Sequence, residues 1–271
     1  PSKDQINALA NLYNSNNMEA TEQACRNFVK GHPESIEALN ILGASLRGQG
    51  KLKEAIEVYN NIIQINPDFS DAYSNRGNAL TGLLLLDKAL ESYQKSIQLN
   101  PKNAVVFVNY GEALHSLGKF DEALDNYEKS IQLKSDYTVA YLCKGNALKA
   151  LGKNDEALES YSKALRLNPD YIEAYNNRGI VFQDLGKLDD ALKDYEKILD
   201  LNPGHLPTQH IVNSLRGYNS KSAPKEYVEE FFGKYANDFE HNLVENLGYK
   251  VPTSLKKALI NRKLAPKKFN K

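Results

Sequence analysis

The stretch that decides the fold is AYLCKGNALKALGKNDEALESYSKALRLNP at residues 140–169, because its pattern returns 34 positions later. Residues 174–203, AYNNRGIVFQDLGKLDDALKDYEKILDLNP, have alanine at two of the same places, and both glycines, both tyrosines and the closing Asn-Pro recur. The closing proline recurs at this interval, with one serine in the series: Pro33, Pro67, Pro101, Ser135, Pro169 and Pro203. A fixed period of this length predicts an array of two-helix units, and such arrays form extended surfaces suited to binding a partner.

Small and large residues repeat together with the prolines. The series are Gly43, Gly77, Gly111, Gly145 and Gly179; Ala55, Ala89, Ala123, Ala157 and Ala191; and Tyr59, Tyr93, Tyr127, Tyr161 and Tyr195. Glycine and alanine are expected where two helices cross closely, and the tyrosines fill the rest of the layer. Proline disfavours the α conformation in the residue before it, so each Asn-Pro predicts the end of a second helix.

Glycine also marks the turn inside most units. Gly50, Gly118, Gly152 and Gly186 lie where the first helix is expected to stop, a position that favours a residue tolerating positive φ. The third unit has Leu84 there, within the run Leu83–Leu86. Two interpretations stay open: a slightly reshaped turn with its leucines packed on the array, or an exposed hydrophobic contact.

These features resemble the tetratricopeptide repeat family over about residues 2–205. The resemblance implies an all-α fold, a right-handed superhelical solenoid of six two-helix units: 2–35, 36–69, 70–103, 104–137, 138–171 and 172–205. The first unit has Thr21 and Cys25 where later units have alanine and tyrosine, as expected of a terminal repeat. Beyond the units we expect a capping helix at 206–217, a linker at 218–226, a helical tail at 227–260 and a basic end at 261–271.

The amino-acid composition narrows the range of possible functions. Lysine plus arginine and aspartate plus glutamate each number 34, so nothing in the net charge points to nucleic acid. Cys25 and Cys143 are three repeats apart, too far for a disulfide, which suits a reducing compartment. No apolar run approaches the roughly 20 residues of a membrane span. We therefore expect a cytoplasmic protein that contacts neither nucleic acid nor membrane.

The concave face predicts a binding site, because the first helices of such arrays line it. The residues two before each repeat glycine are expected to project there: Ile41, Asn75, Asn109, Cys143 and Asn177. Neighbouring candidates are Asn40, Asn78, Glu112, Asn146 and Asn176. An asparagine amide both donates and accepts hydrogen bonds, so a row of them could hold the backbone of an extended polypeptide. Alternatively, these asparagines are solvated or bond to local partners.

The row at Asn75, Asn109 and Asn177 is similar to the asparagine ladder of O-linked N-acetylglucosamine transferases, although Ile41 and Cys143 interrupt it. Co-chaperone repeats that hold a terminal carboxylate use cations, and the matching positions here are uncharged: Ser74, Val108, Val139 and Leu142. Acidic residues add negative charge instead: Glu37, Asp71 and Glu173. The hypothesis is a protein-interaction scaffold for a neutral or basic extended segment.

The tail departs from the repeat. The sequence YVEEFFGKYANDFEHNLVENLGYKVP at 227–252 resembles the lead-in of bacterial proteins in which these repeats precede an S-adenosylmethionine-dependent methyltransferase domain. That family would continue with a strand and a glycine-rich turn that holds the cofactor, and no such turn occurs here. We therefore expect no cofactor, and interpret the tail as a vestige, a truncated gene product or a deliberately shortened chain.

Three functional readings remain. Catalytic and metal motifs such as H-E-x-x-H, CxxC and G-x-S-x-G are missing from the sequence, so we expect a protein that is not an enzyme and holds no metal. The leading hypothesis is the peptide-binding scaffold. The alternative is the substrate-recruiting part of a methyltransferase whose catalytic domain is missing or separate. Self-association through the tail or through Leu83–Leu86 is the third.

Overall fold

The computed structural model describes residues 2–217, and this part of the chain is built from helices alone. There are thirteen, in chain order: α1 Lys3–Asn14, α2 Met18–Gly31, α3 Ile36–Gly48, α4 Leu52–Ile65, α5 Ser70–Gly82, α6 Leu86–Leu99, α7 Ala104–Ser116, α8 Phe120–Leu133, α9 Thr138–Ala150, α10 Asn154–Leu167, α11 Ile172–Asp184, α12 Leu188–Leu201 and α13 Leu206–Leu215. Each helix packs against the next along the chain. The predicted linker, tail and basic end lie outside the described residues.

The helices form two layers. The odd-numbered helices α1 to α11 also contact one another in succession, whereas α2, α4, α6, α8, α10 and α12 make no such contact with each other within residues 2–217. The layer whose members lie closer together is the inner, concave one. The all-α solenoid predicted from the period is therefore confirmed. Beyond α12, the helix α13 packs on α12 and buries Thr208 and Val212.

The glycine and tyrosine series explain the close packing within each pair. A Cβ built on Gly77 would lie 2.5 Å from Cε1 of Tyr93, and one on Gly145 would lie 2.5 Å from Cε1 of Tyr161. The tyrosine ring occupies the space that a side chain would need, so the two helices meet at ring-to-backbone distance. The asparagines of the Asn-Pro pairs are the C-caps of their helices, as at Asn66.

The turn of the third pair keeps the shape of the others. Leu84 has φ 58°, close to the 76° of Gly118, and its amide donates to Thr81 as that of Gly118 donates to His115. The expectation of a reshaped turn was wrong, because the turn's hydrogen bonds hold the leucine in the left-handed conformation. Leu84 and Leu85 are 45% and 41% exposed, so they are not packed onto the array.

Candidate functional site

The asparagines of the inner layer pair with each other across repeat boundaries. Nδ2 of Asn75 donates to Oδ1 of Asn40 at 2.9 Å. Two further pairs have the same distance, from Asn109 to Asn78 and from Asn177 to Asn146. In the remaining step, Sγ of Cys143 donates to Oε1 of Glu112 at 3.5 Å. These four contacts, called here the asparagine ladder, connect five consecutive first helices, α3 to α11.

The ladder follows a simple rule. The donor lies two residues before the repeat glycine, and the acceptor lies one residue after the glycine of the preceding repeat, as for Asn109 and Asn78. Asn75 departs from it because the preceding repeat has Ala44 at the acceptor position, and it bonds to Asn40 instead. Ile41 is half-buried and packs against the core, so it is not part of the ladder.

Core tyrosines hold the acceptor asparagines in place. Oη of Tyr93 donates to Oδ1 of Asn78 at 2.8 Å, and Oη of Tyr161 donates to Oδ1 of Asn146 at the same distance. Burial raises the pKa of Tyr93 to about 12, so the phenol stays protonated and keeps donating. Sequence reasoning assigned these tyrosines to packing alone. The constant spacing of 15 residues between asparagine and tyrosine was the available indication.

Glu112 is the one ladder residue with a formal negative charge. Its side chain reaches solvent, yet surrounding protein atoms desolvate the carboxylate and raise its pKa, an effect that the Cys143 thiol partly offsets by donating to it. Burial and the charge of Glu112 together raise the pKa of Cys143, so the thiol remains protonated. Among residues 2–217 no lysine or arginine forms an ion pair with Glu112.

Five of the six ladder asparagines, all but Asn177, keep one half of the amide without a hydrogen-bond partner in residues 2–217. The Nδ2 groups of Asn40, Asn78 and Asn146 have no acceptor, and the Oδ1 atoms of Asn75 and Asn109 have no donor, within the described part of the chain. None of these atoms is sealed from solvent. Asn176 lies beside the end of the ladder, where its Nδ2 reaches Oδ1 of Asn177 at 3.4 Å. The inner layer therefore presents both unpaired donors and unpaired acceptors to solvent.

Residues 2–217 have neither the features of a metal site nor those of a membrane span. Nowhere in that range do three His, Cys, Asp or Glu side chains come together to hold a metal ion. No helix of that range is long and apolar enough to cross a membrane. The positions where co-chaperone repeats place cations are uncharged, and Ser74, Val108 and Leu142 are buried.

Comparisons with known proteins agree with the repeat architecture. Family profiles described as TPR repeat match residues 43–83, 111–152 and 145–186, and those described as tetratricopeptide repeat match 70–103, 92–125 and 172–205. Together they run without a gap from residue 43 to residue 205. The chain belongs to the tetratricopeptide repeat family. Members of this family generally mediate protein–protein interactions. No curated protein sequence matches the chain.

Several solved tetratricopeptide structures have a similar fold. MamA is 26% identical with a TM-score of 0.55, and the match covers 60% of this chain and 95% of MamA. YrrB, described as a TPR protein with an unusual peptide-binding site, is 21% identical with a TM-score of 0.54 and coverages of 70% and 98%. Pseudomonas aeruginosa PilF is 19% identical with a TM-score of 0.66 and coverages of 77% and 95%.

Proposed function

We propose that this tetratricopeptide array is a scaffold that binds an extended polypeptide segment along the asparagine ladder, through the backbone of the segment. The observation that carries the proposal is how five of the six ladder asparagines use their amides. In each of the five, one half of the amide is bonded between repeats, and the other half is unpaired and open to solvent. A peptide bond offers one donor and one acceptor, which matches an unpaired Nδ2 beside an unpaired Oδ1.

The inter-repeat bonds prepare the amides for binding. Asn78 accepts from both Tyr93 and Asn109, so the direction of its Nδ2 group is fixed before any ligand arrives. A side chain already held in its binding geometry loses little conformational entropy when a ligand binds. YrrB, which has a similar fold, is described as having a peptide-binding site, and this supports the same use of the fold here.

Glu112 adds a preference to the proposed site. Its carboxylate lies in the middle of the ladder without a cationic partner in the described residues. A lysine or arginine of the bound segment would supply that partner, whereas an acidic residue there would be repelled. The proposed ligand is therefore a neutral or basic segment that crosses Glu112 with a cationic side chain or a small neutral one.

The test separates backbone clamping from the ladder's structural role. Peptides are selected against the full chain from a random phage-displayed library, and a neutral selected peptide is labelled with fluorescein for anisotropy measurements. The double variant Asn78→Asp and Asn146→Asp keeps the Oδ1 acceptors that Tyr93, Tyr161 and the next asparagines use, and it replaces the unpaired Nδ2 donors by carboxylate oxygens. Each substitution also adds a negative charge, and a neutral peptide is used so that this charge has little effect on binding. We expect binding to weaken about tenfold or more, since each lost hydrogen bond contributes about 1 kcal/mol.

Two further binding measurements, one with a modified peptide and one with a second variant, complete the test. The same peptide with alternate backbone nitrogens methylated is expected to lose binding, because N-methyl groups remove the donors that the ladder would accept. The triple variant Asn75→Ala, Asn109→Ala and Asn177→Ala, checked for folding by circular dichroism, should also lose it. Undiminished binding of the selected peptide by a folded triple variant would refute the proposal.

The second candidate function rests on the tail. The resemblance of residues 227–252 to the lead-in of methyltransferase domains supports a role for the array in recruiting a substrate to such a domain. These residues lie outside the described part of the chain. Reading the DNA downstream of codon 271 tests the idea: an open frame that encodes a strand and a glycine-rich turn supports it, and unrelated sequence there counts against it.

A further inference from the structure

Two repeats place an arginine directly before the repeat glycine, and the two arginines differ in their partners. Arg178 forms a bidentate pair with Asp194, from Nε to Oδ2 at 2.8 Å and from Nη2 to Oδ1 at 2.6 Å. Its Nη1 donates to Ser162 at 2.9 Å. All three nitrogens of this guanidinium are therefore bonded, and its charge is matched by a nearly buried carboxylate.

Arg76 makes the same contacts without a carboxylate. Its Nε donates to Oγ of Ser92 at 3.2 Å, and its Nη1 donates to Oδ1 of Asn60 at 2.9 Å. Ser92 occupies the position of Asp194 but is too short to reach Nη2, which has no acceptor in residues 2–217. Burial lowers the pKa of Arg76, and Tyr73 and Glu91 only partly offset this effect. A half-buried cation without an ion-pair partner is unfavourable unless something else supplies the negative charge.

The Arg76 guanidinium lines an open cavity of about 550 Å³ between α4, α5 and α6. One wall is apolar, and the remainder carries cations and acids at the rim. The apolar residues are Ile56, Leu80, Leu83 and Leu85, the cations are Lys53 and Lys88, and the acids are Glu57 and Glu91. The cavity lies on the side of α5 that meets the second helices, whereas the ladder lies where the first helices meet.

One residue of the apolar wall, Leu85, comes from a departure from the repeat pattern. Four other units have glycine and lysine in the turn, as at Gly118 and Lys119, and the third unit has Leu84 and Leu85. Leu84 adopts φ 58°, a conformation that costs a side-chain-bearing residue about 1–2 kcal/mol. Leu85 replaces a lysine, remains 41% exposed and lines the cavity. The exposed Leu85 and the cation without an ion-pair partner therefore line the same cavity.

We infer that this cavity binds an acidic side chain of a partner protein together with an adjacent aliphatic side chain. The partner's carboxylate would lie against Nη2 of Arg76, the guanidinium nitrogen without an acceptor, as Oδ1 of Asp194 lies against Nη2 of Arg178. Its aliphatic neighbour would cover Leu83 and Leu85. The three cations Lys53, Arg76 and Lys88 exceed the two acids of the lining and favour an acidic group. This surface is separate from the ladder and is independent of the proposed peptide binding.

The experiment uses the full chain and two small peptides, acetyl-Leu-Asp-Leu-amide and its control acetyl-Leu-Asn-Leu-amide. Titrations are followed by NMR at the Nε–Hε resonances of Arg76 and Arg178. We expect the acidic peptide to shift the Arg76 resonance saturably and to bind about two- to fivefold more tightly than the control, the range for a partly exposed ion pair. The Arg178 resonance should not move, because its partner already occupies the site.

Three variants complete the test. Ser92→Asp supplies an internal carboxylate and should abolish peptide binding while raising Tm. Arg76→Leu, which introduces the residue type found at the equivalent Leu42, should remove the difference between the two peptides. Glu91→Gln removes a competing acid and should tighten binding of the acidic peptide about twofold, the size expected of an exposed charge.

Equal affinity for both peptides, or unchanged binding in Ser92→Asp, would overturn the inference. So would sedimentation showing a concentration-dependent dimer that Leu85→Ser dissociates, because a second copy of the chain would then occupy the cavity.

Discussion

Tyr59 is the one repeat tyrosine whose hydroxyl is buried without a hydrogen-bond partner, and this offers a way to stabilise the array. The equivalent Tyr93 donates to Asn78, but the second repeat has Ala44 in place of that asparagine. Burial raises the pKa of Tyr59 to about 12, and the nearby Arg47 offsets this only in part, without a well-formed hydrogen bond. Ala44→Asn is therefore expected to give Tyr59 an acceptor and Asn75 its regular partner.

The stabilisation expected from Ala44→Asn is the difference between two opposing contributions. A buried polar group without a partner costs about 1–3 kcal/mol, which the new hydrogen bond would recover. Asparagine in place of alanine inside a helix costs about 0.7 kcal/mol. The expected net gain is about 1 kcal/mol, which raises Tm by about 2–4 °C for an array of this length. Scanning calorimetry measures the shift, and hydrogen exchange in α3, α4 and α5 shows whether it is local.

A double-mutant cycle tests the reasoning. Tyr59→Phe in the natural background removes a hydroxyl that bonds to nothing, so the free energy of unfolding should change by less than about 0.5 kcal/mol. Tyr93→Phe removes a formed bond and should cost about 1 kcal/mol. In the Tyr59→Phe background, Ala44→Asn should lose its gain. If Ala44→Asn stabilises both backgrounds equally, the tyrosine is not the source of the effect and the explanation fails.

Gly111→Ala should lower the free energy of unfolding by about 1–3 kcal/mol in urea titration, because the added Cβ would lie 2.5 Å from Cε1 of the buried Tyr127. Leu84→Gly should raise Tm by a few degrees in calorimetry, because it relieves a positive φ at a side chain that is already 45% exposed. A hydrogen bond from Lys51 lowers the pKa of Glu22 to about 2. The ionised carboxylate therefore stabilises the fold at any pH above the pKa that Glu22 has in the unfolded chain, and this stabilisation is lost as the pH falls through 2. The Tm difference between Glu22→Gln and the natural chain should accordingly be large near neutral pH and vanish in strong acid.

Three control substitutions test whether the effects of Gly111→Ala, Leu84→Gly and Glu22→Gln have the causes given above. Gly31→Ala has no atom within 4 Å of the added Cβ and should not destabilise. Leu117→Gly, in a turn residue with φ −87°, should destabilise where Leu84→Gly stabilises. Arg26→Gln removes another partner of Glu22 and should reduce the same pH dependence. Stabilisation by Leu117→Gly, or a pH-independent effect of Glu22→Gln, would contradict the corresponding explanation.

Much of the fold could be predicted from the sequence because the residues that determine it act locally. The helix ends depend on residues such as Asn66 and Gly118, whose backbone preferences act without regard to distant partners. The close helix crossing at Gly77 and Tyr93 repeats often enough to be read from the period. Leu84 was the exception, because the turn's hydrogen bonds outweighed the intrinsic preference of leucine.

The candidate site could be predicted from the sequence only in part. The sequence placed Asn75, Asn109 and Asn177 on one face, because equivalent positions of a regular repeat project alike. It did not show that each of them bonds to another asparagine of the preceding repeat, nor that Tyr93 anchors Asn78. Those contacts join residues 35, 31 or 15 positions apart, and none of these offsets is the repeat period.

By itself, therefore, the sequence determined the repeat, the helices and the residue types that face inward. The stacking of the helices decided the rest. It determines which amide groups form hydrogen bonds between repeats and which have no partner, and why Arg178 has a carboxylate partner while Arg76 has none. The physical reason is that a period records equivalence between positions, whereas hydrogen bonds and ion pairs depend on distances of a few ångströms between different positions. Those distances exist only once neighbouring repeats are packed together.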